Sequence, residues 1–417
     1  MAEHILDEDV FPIVGWAGPS GGMVREDVMA GMAEAGFTVS HSGVGGDPKD
    51  VRRALDVAAD AGVRLLLIHP CYHVGDDYEL TEARRGQIVE VVKAVQDHPG
   101  LYGYHLRDEP RFHVLPRLAE VAQHIRSMDP YHLIYINHFP PIRGFGAPSV
   151  EWFWREYIRL CQPTMLSYDH YPVQVGTAAE VEEGAHLPNV FPSGKIVVKP
   201  DFYEALDLLR SLSTHCDIPF WAFTCAVRHG AYLTPEEGHM RYQLFSDLAY
   251  GASGLQYFTY AHDQAMVRPD GSTTDTWEMA RRINGEIHTL APALKGLRNV
   301  GTFHHGPLWS GTRRLPQSDE PLSVAVEGDA VSVGLFVRPD EGPDGPRYAM
   351  VTNASPCDWA RLTLKVNVGE EKLYCVDPKD GVTRELWPPN ARAQLVVLAP
   401  GEGRLFQIGG EGQGKNF

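Results

Sequence analysis

Apolar residues fall into two textures along this chain. Up to about residue 300, short apolar runs alternate with stretches whose apolar residues recur every three or four positions; beyond it, strict one-on, one-off alternation takes over. Eight short runs read as strands: "FPIVGWAG", "GFTVSHSG", "VRLLLIHP", "LYGYHLRDEP", "YHLIYINHFP", "PTMLSYDHYP", "IPFWAFTCAV" and "GASGLQYFTY". Amphipathic segments such as "VREDVMAGMAEA", "PKDVRRALDVAADA", "GQIVEVVKAVQDH" and "VLPRLAEVAQHIRSM" lie between them and read as helices. Successive strand ends are mostly 25 to 40 residues apart, the length of a βα unit, and the longest interval, Pro172 to Val227, has room for an excursion. Eight such units closing on themselves predict a (β/α)8 TIM barrel. A doubly wound open sheet is the structural rival, but no GxGxxG follows the first strand, which weakens its nucleotide-binding form.

Residues 276–298 read as the closing helix. The alternating runs that follow, from "LSVAVEGDAVSVGLFV" to "QLVVLAPGEGRLFQIG", predict a small antiparallel β-sandwich domain. The expected division is therefore a catalytic barrel over 1–300 and a β-domain over 301–417, with "GEGQGKNF" as a frayed tail.

Composition narrows the partners. Of the 417 residues, 43 % are hydrophobic and 22 % charged, as in an ordinary globular protein. A net charge of −17, without a basic block, disfavours nucleic acid and anionic membrane surfaces. No apolar run approaches the roughly 20 residues of a membrane span. The acidic N-terminus lacks a basic, then apolar, leader, so a cytoplasmic location is expected, or a secreted or periplasmic one if a signal peptide has been removed. Six scattered cysteines form no CxxC pair and are expected to be reduced. A homo-oligomer is compatible with all of this.

In such a barrel, chemistry gathers at the C-terminal strand ends. Read in order, these offer Trp16; Ser40, His41 and Ser42; His69 and Tyr72; Asp108 and Glu109; Asn137 and His138; Asp169, His170 and Tyr171; Thr224, Cys225, Arg228 and His229; and Tyr260, His262 and Asp263. Carboxylates, imidazoles and aromatic rings are the mixture a sugar needs: polar groups for its hydroxyls, ring faces for its C–H side. Trp16, His41, His69, Tyr72, Asp108, Asn137, His138, His170, Tyr171, His229, Tyr260 and Asp263 are accordingly candidate substrate-binding residues, and carbohydrate is the expected partner. The adjacent pair Asp108 and Glu109 is the sharpest signal. One carboxylate can serve as general acid while the other's charge lifts its pKa; helix capping is the plainer use of either. Asp169 is the first choice for a second catalytic carboxylate, ahead of Asp263 and Glu237, because it ends the strand two places on. Glu237, in "TPEE", matches a capping box with Thr234 as N-cap, and Glu204 sits at a helix start. Several histidines fall near strand ends, but the first strand has no HxH and the chain no HExxH, so neither a metal nor a cofactor is assigned. Cys225, four residues before His229, reads as packing before it reads as a nucleophile.

"GYHLRDEP", "SYDHYP", "FWAF" and "LAYGASGLQYFTY", in this order and spacing, resemble the barrels of glycoside hydrolase clan A, nearest the family-42 β-galactosidase-like group; "PGEGRLFQI" resembles the last strand of the β-domain such enzymes carry. The resemblance implies a glycoside hydrolase, and the large rings crowding the strand ends point to an exo-acting one. It makes Glu109 the acid/base, with Asp108 replacing the asparagine that usually holds the sugar 2-hydroxyl. The clan's nucleophile is a glutamate ending the seventh strand, where this chain reads "IPFWAFTCAVRHG" without a carboxylate. That departure leaves open the nucleophile and the stereochemical outcome, and keeps two rivals in view: a metal-dependent barrel hydrolase or lyase, and a non-catalytic carbohydrate-binding barrel.

Overall fold

The computed structural model describes residues 4–7, 10–316, 324–342, 347–366, 372–386 and 393–410; the expected frayed tail, apart from Gly410, lies outside them. The chain forms two compact units. The first comprises Met1–His170, Cys216–Ala226 and Gly254–Arg281, the second Tyr171–His215, Val227–Ser253 and Arg282–Phe417.

The first unit is built on β1 (Ile13–Gly15), β2 (Val39–Gly43), β3 (Arg64–Ile68), β4 (Leu101–Asp108), β5 (Leu133–Asn137) and β6 (Leu166–Tyr168). After β7 (Val173–Val175), β8 (Val190–Phe191) and β9 (Ile196–Val198), which belong to the second unit, β10 (Phe220–Cys225) and β11 (Gly254–Phe258) complete it. These eight strands are parallel in the order β5-β4-β3-β2-β1-β11-β10-β6. A bridge between His138 and Tyr168 closes β5 onto β6: His138 N–H donates to Ser167 C=O (3.0 Å) and Asp169 N–H to His138 C=O (3.0 Å). The eight runs read from the sequence are thus the eight strands of a TIM barrel. Their near-continuous burial, as in β5 and β10, is what a parallel sheet covered on both faces requires.

The helices begin where local chemistry starts them. Asp47 accepts from Lys49 N–H with Pro48 in the first turn of Pro48–Asp60; Thr81 caps Glu82–Val95; Ser149 caps Val150–Cys161.

In the second unit, β7, β9 and β8 form a small antiparallel sheet. The β-domain follows, with β12 (Arg298–His305), β13 (Val324–Gly328), β14 (Val331–Val337), β15 (Arg347–Asn353), β16 (Ala360–Val366), β17 (Leu373–Val376), β18 (Thr383–Glu385), β19 (Ala393–Leu398) and β20 (Gly403–Ile408). One sheet runs β12-β14-β15-β20-β17-β18 and the other β13-β16-β19. Val331, Val333, Ala349 and Phe406 from the first share one apolar core with Leu362, Leu364 and Leu398 from the second, so alternation has placed alternate residues inward from both sheets. Helix Glu237–Ala249 lies against β14, β15 and β20 and is buried throughout from His239 onward. At its closest approach Gly334 faces the Ala249 carbonyl, where any Cβ would collide.

Two local expectations shift. The closing helix stops at Leu294, with Pro292 in its last turn, and the chain turns into β12 at Arg298. The helix after β10 is capped by Glu236 in a reciprocal pairing with His239, not by Thr234. Glu237 instead joins Arg241 and Arg282 as an ion pair at 2.9 and 2.8 Å.

Candidate active site

Adjacent strand residues point to opposite faces, so Asp108 and Glu109 should not share a cavity. Two backbone departures make them do so. Between His105 and Arg107 the β4–β5 register slips: His105 pairs with Tyr135, Arg107 with Ile136 and Asp108 with Asn137, which leaves Leu106 as the extra residue of a β-bulge. Glu109 then adopts left-handed backbone at φ 46° while its N–H still donates to Asn137 C=O (2.9 Å). Such a conformation costs a residue with a Cβ about 1–2 kcal/mol; here it re-aims the carboxylate.

Two carboxylates meet on one amide, and Glu109 adjoins them through Asp169. Asn137 Nδ2 donates to Asp108 Oδ1 (3.0 Å) and Asp169 Oδ1 (3.4 Å). The orientation of that amide is fixed from below by a polar chain on three strands. Gln256 Nε2 donates to Ser167 Oγ (2.9 Å), which donates to Asn137 Oδ1 (2.8 Å), and Tyr135 OH bonds Gln256 Oε1. With Asn137 Oδ1 occupied as acceptor, its NH2 must face the carboxylates. All four of these residues are buried.

Glu109 and Asp169 are hydrogen-bonded to each other through their side chains. Burial, then the Asp108 charge, lifts the Glu109 carboxyl from an ordinary 4.5 to about 7, and only the bond with Asp169 opposes this. Asp169 is pushed well above the carboxylate range by burial and by the charges of Glu109 and Asp108. Asp108 is raised by burial, with the Asn137 bond and the Arg107 charge pulling the other way. Two carboxyls in hydrogen-bond contact hold one proton between them near neutrality, because both cannot ionise so close together.

Beneath this cluster lies a layer of rings. Trp16 stacks on His41 at 3.7 Å and 10°, and meets His105, Tyr135 and Phe223 at 5.3, 5.9 and 5.1 Å. His41 Nδ1 accepts the Ala17 N–H, which leaves Nε2–H to donate to His105 Nδ1 (3.0 Å). Burial depresses both imidazoles, His105 to about 3, so both are neutral.

Other candidates are elsewhere. His138 faces away from Asn137, its ring 4.1 to 5.4 Å from Tyr157, Trp154 and Phe153. His69 is spent on two loops: Nδ1 accepts from Cys71 N–H (3.2 Å) and Nε2 bonds Gly46 C=O (3.3 Å). Tyr72 is fully buried against Tyr104, its hydroxyl on Leu67 C=O, and Tyr260 is fully buried against Phe37. His170 is buried, Asp263 is exposed on a loop, and Cys225 is buried at the end of β10. Tyr171 and His229 belong to the second unit, with rings 6.2 Å apart and both near Tyr232. Glu204 bonds Ser310, also in the second unit. Among the described residues no group of three His, Cys, Asp or Glu side chains is arranged to hold a metal ion, and no helix is long and apolar enough to cross a membrane.

His105, Tyr135, Ser167 and Gln256 were not singled out from the sequence. The signal was present: Tyr135 and Ser167 stand two positions before Asn137 and Asp169, polar residues on the inward face of otherwise apolar strands.

No family model matches the sequence, and no curated protein matches it. Among solved structures the chain is similar to a glycoside hydrolase at 12 % identity and TM-score 0.59, covering 96 % of this chain and 92 % of that one. A β-galactosidase from the psychrophilic Marinomonas ef1 is 12 % identical with TM-score 0.49 over 68 % of this chain, which spans 60 % of that enzyme's length. GH5_18 from Streptomyces cattleya, in complex with GlcNAc, is 9 % identical with TM-score 0.43 over 66 % of this chain and 80 % of its own. The likeness that extends over nearly the whole chain shows the fold: a (β/α)8 barrel followed by antiparallel sheets, shared with a glycoside hydrolase.

Proposed function

We propose that this protein is a glycoside hydrolase, with residues 1–300 as its catalytic barrel and 301–417 as its β-domain. The observation that carries the reading is the convergence of Glu109 and Asp169 beside Asp108 and Asn137 at the strand ends. Once substrate has parted the pair, the shared proton stays on Glu109, which gives it to the glycosidic oxygen as the bond to the anomeric carbon breaks. Asp169, left as the carboxylate, attacks that carbon or deprotonates the water that does. Asp108 and Asn137 hold a sugar hydroxyl. The buried rings of Trp16, His41, His105 and Tyr135 crowd the barrel next to these carboxylates, and that crowding supports exo action. In hydrogen-bond contact the two carboxyls are closer than the ~5 Å of a retaining pair or the ~6.5–9.5 Å of an inverting one, so substrate has to part them.

A panel of aryl glycosides tests this, with NMR of the first-formed anomer to give the stereochemistry. Glu109→Gln is expected to lower turnover at least a thousandfold for poor leaving groups while sparing sugar binding. Full turnover by this variant sinks Glu109 as the acid. The empty position after β10, where Thr224, Cys225 and Ala226 stand, favours one other reading, a barrel that binds carbohydrate without cleaving it. Sugar binding by the parent protein with no turnover across the panel would select it.

A further inference from the structure

Two hollows stand out among the described residues of the second unit. The larger, about 570 Å³, is lined by Glu236, Glu237, His239 and Arg241, and its charges are spent on one another: Arg241 holds Glu286 and Glu237, and Glu237 also holds Arg282. The smaller, about 280 Å³, is different. Its wall includes the rings of Trp359, Trp309 and Phe191 together with Asp329, Asp358 and Ser355. Trp359 is 68 % exposed, the most open of the large apolar side chains among the described residues. An indole left in water is unfavourable in a folded chain, and here it stands beside two carboxylates on a concave surface.

We infer that this hollow is a second carbohydrate site, one that takes a neutral sugar ring and is lined by residues of the second unit alone. Three observations support it. The first is chemical pairing: indole faces cover the C–H side of a pyranose, and carboxylates accept from its hydroxyls. Asp329 uses Oδ2 to accept the Arg361 N–H (2.7 Å), and Asp358 uses Oδ2 for the hydroxyls of Ser355 and Ser193 (3.2 and 3.1 Å). Oδ1 of each is left to accept from a ligand. The second is charge. The lining contains no Lys or Arg; of its two imidazoles, His304 is held neutral by burial, at about 3, and His305 bonds Gly328 C=O, so a phosphate or a uronate would meet two carboxylates with no fixed counter-charge.

The third is preorganisation. Asn353 locks the turn that leads into Trp359: its Nδ2 donates to Asp358 C=O and Ala399 C=O (both 2.8 Å), and its Oδ1 accepts from Ser355 N–H (2.9 Å). Ser355 Oγ accepts from the N–H groups of Cys357 and Asp358 (3.2 and 2.9 Å). Ala360, next after Trp359, is in the β16–β19 ladder opposite Leu398. Trp309 is held at the hollow by the edge contact of its ring with Tyr203 (5.0 Å) and by its backbone N–H, which donates to the Thr312 hydroxyl (2.9 Å). A wall already fixed loses little freedom on binding. Its volume lies just below the ~300 Å³ at which small-molecule sites begin, which suits one ring of a chain that continues into solvent over Trp359.

Affinity electrophoresis of the whole protein tests the site, in native gels containing soluble β-glucan, xylan, galactan or, as the anionic control, polygalacturonate. At least one neutral polysaccharide should retard the parent. Trp359→Ala, a change at an exposed side chain, should weaken that retardation at least tenfold and leave turnover of an aryl glycoside unchanged. Asp108→Ala should leave retardation in place. Equal retardation of parent and Trp359→Ala overturns the inference, as does stronger retardation by polygalacturonate or none by any neutral polymer. A protein that hydrolyses no glycoside yet is retarded through Trp359 keeps this site and loses the proposed activity, so the two failures are distinguishable.

Discussion

Glu109→Gln should make the protein more stable above neutral pH and not below pH 4.5. A carboxyl whose folded pKa stands above its unfolded value binds its proton more tightly when folded. Its stabilising contribution is complete below the unfolded pKa and is lost as pH rises through the folded one. For Glu109 the window runs from 4.5 to about 7, opened by burial first and the Asp108 charge second. At about 1.4 kcal/mol per pH step, that rise sets an upper bound of about 3.4 kcal/mol. The side chain keeps part of its surface in water, and screening there reduces the figure to about 1.5 kcal/mol. Glutamine has the shape of the protonated acid, can donate to Asp169, and never ionises. It also removes a charge that holds the Asp169 pKa up. Thermal melts of parent and variant at pH 4.5 and pH 8 measure the difference. The variant should gain about 2 °C at pH 8 relative to its offset at pH 4.5, from the usual ratio of stability to midpoint for a chain of this size. An offset that does not change with pH, or a variant less stable than the parent at pH 8, would refute the buried, proton-sharing pair.

Two further outcomes follow from the same geometry. Ser167→Ala removes the hydroxyl between Gln256 and Asn137, strands two buried polar groups, and should cost about 1–3 kcal/mol in urea unfolding; kcat should fall with it, because Asn137 is then free to rotate its amide, and an unchanged kcat would remove Asn137 from the site. His138→Leu should blunt acid unfolding. Burial holds that imidazole at about 3 against an ordinary 6.5, so it withdraws stability as pH falls from 6.5 toward 3, and the variant's advantage over the parent should grow between pH 7 and pH 4; a constant difference would count against this account.

The sequence by itself determined the barrel. Period-two and period-3.6 runs with Asp47, Thr81 and Ser149 before their helices are local signals, and each strand end could be read because it closes an apolar run. The switch to strict alternation likewise announced the paired sheets that share the Leu362 and Val333 core. The meeting of Asp108, Glu109 and Asp169 was legible only as a list, since spacing along a chain says which residues stand at the mouth and not which way they turn. Their convergence depends on a one-residue slip at Leu106 and a left-handed Glu109, and neither is written in local propensity. His138 and Tyr72 show the same limit in reverse: as strand-end residues they are indistinguishable from Asn137, yet packing turns one toward Phe153, Trp154 and Tyr157 and the other toward Tyr104. Even the pKa of Glu109 is a tertiary quantity, because desolvation and a neighbour's charge exist only once the strands have closed.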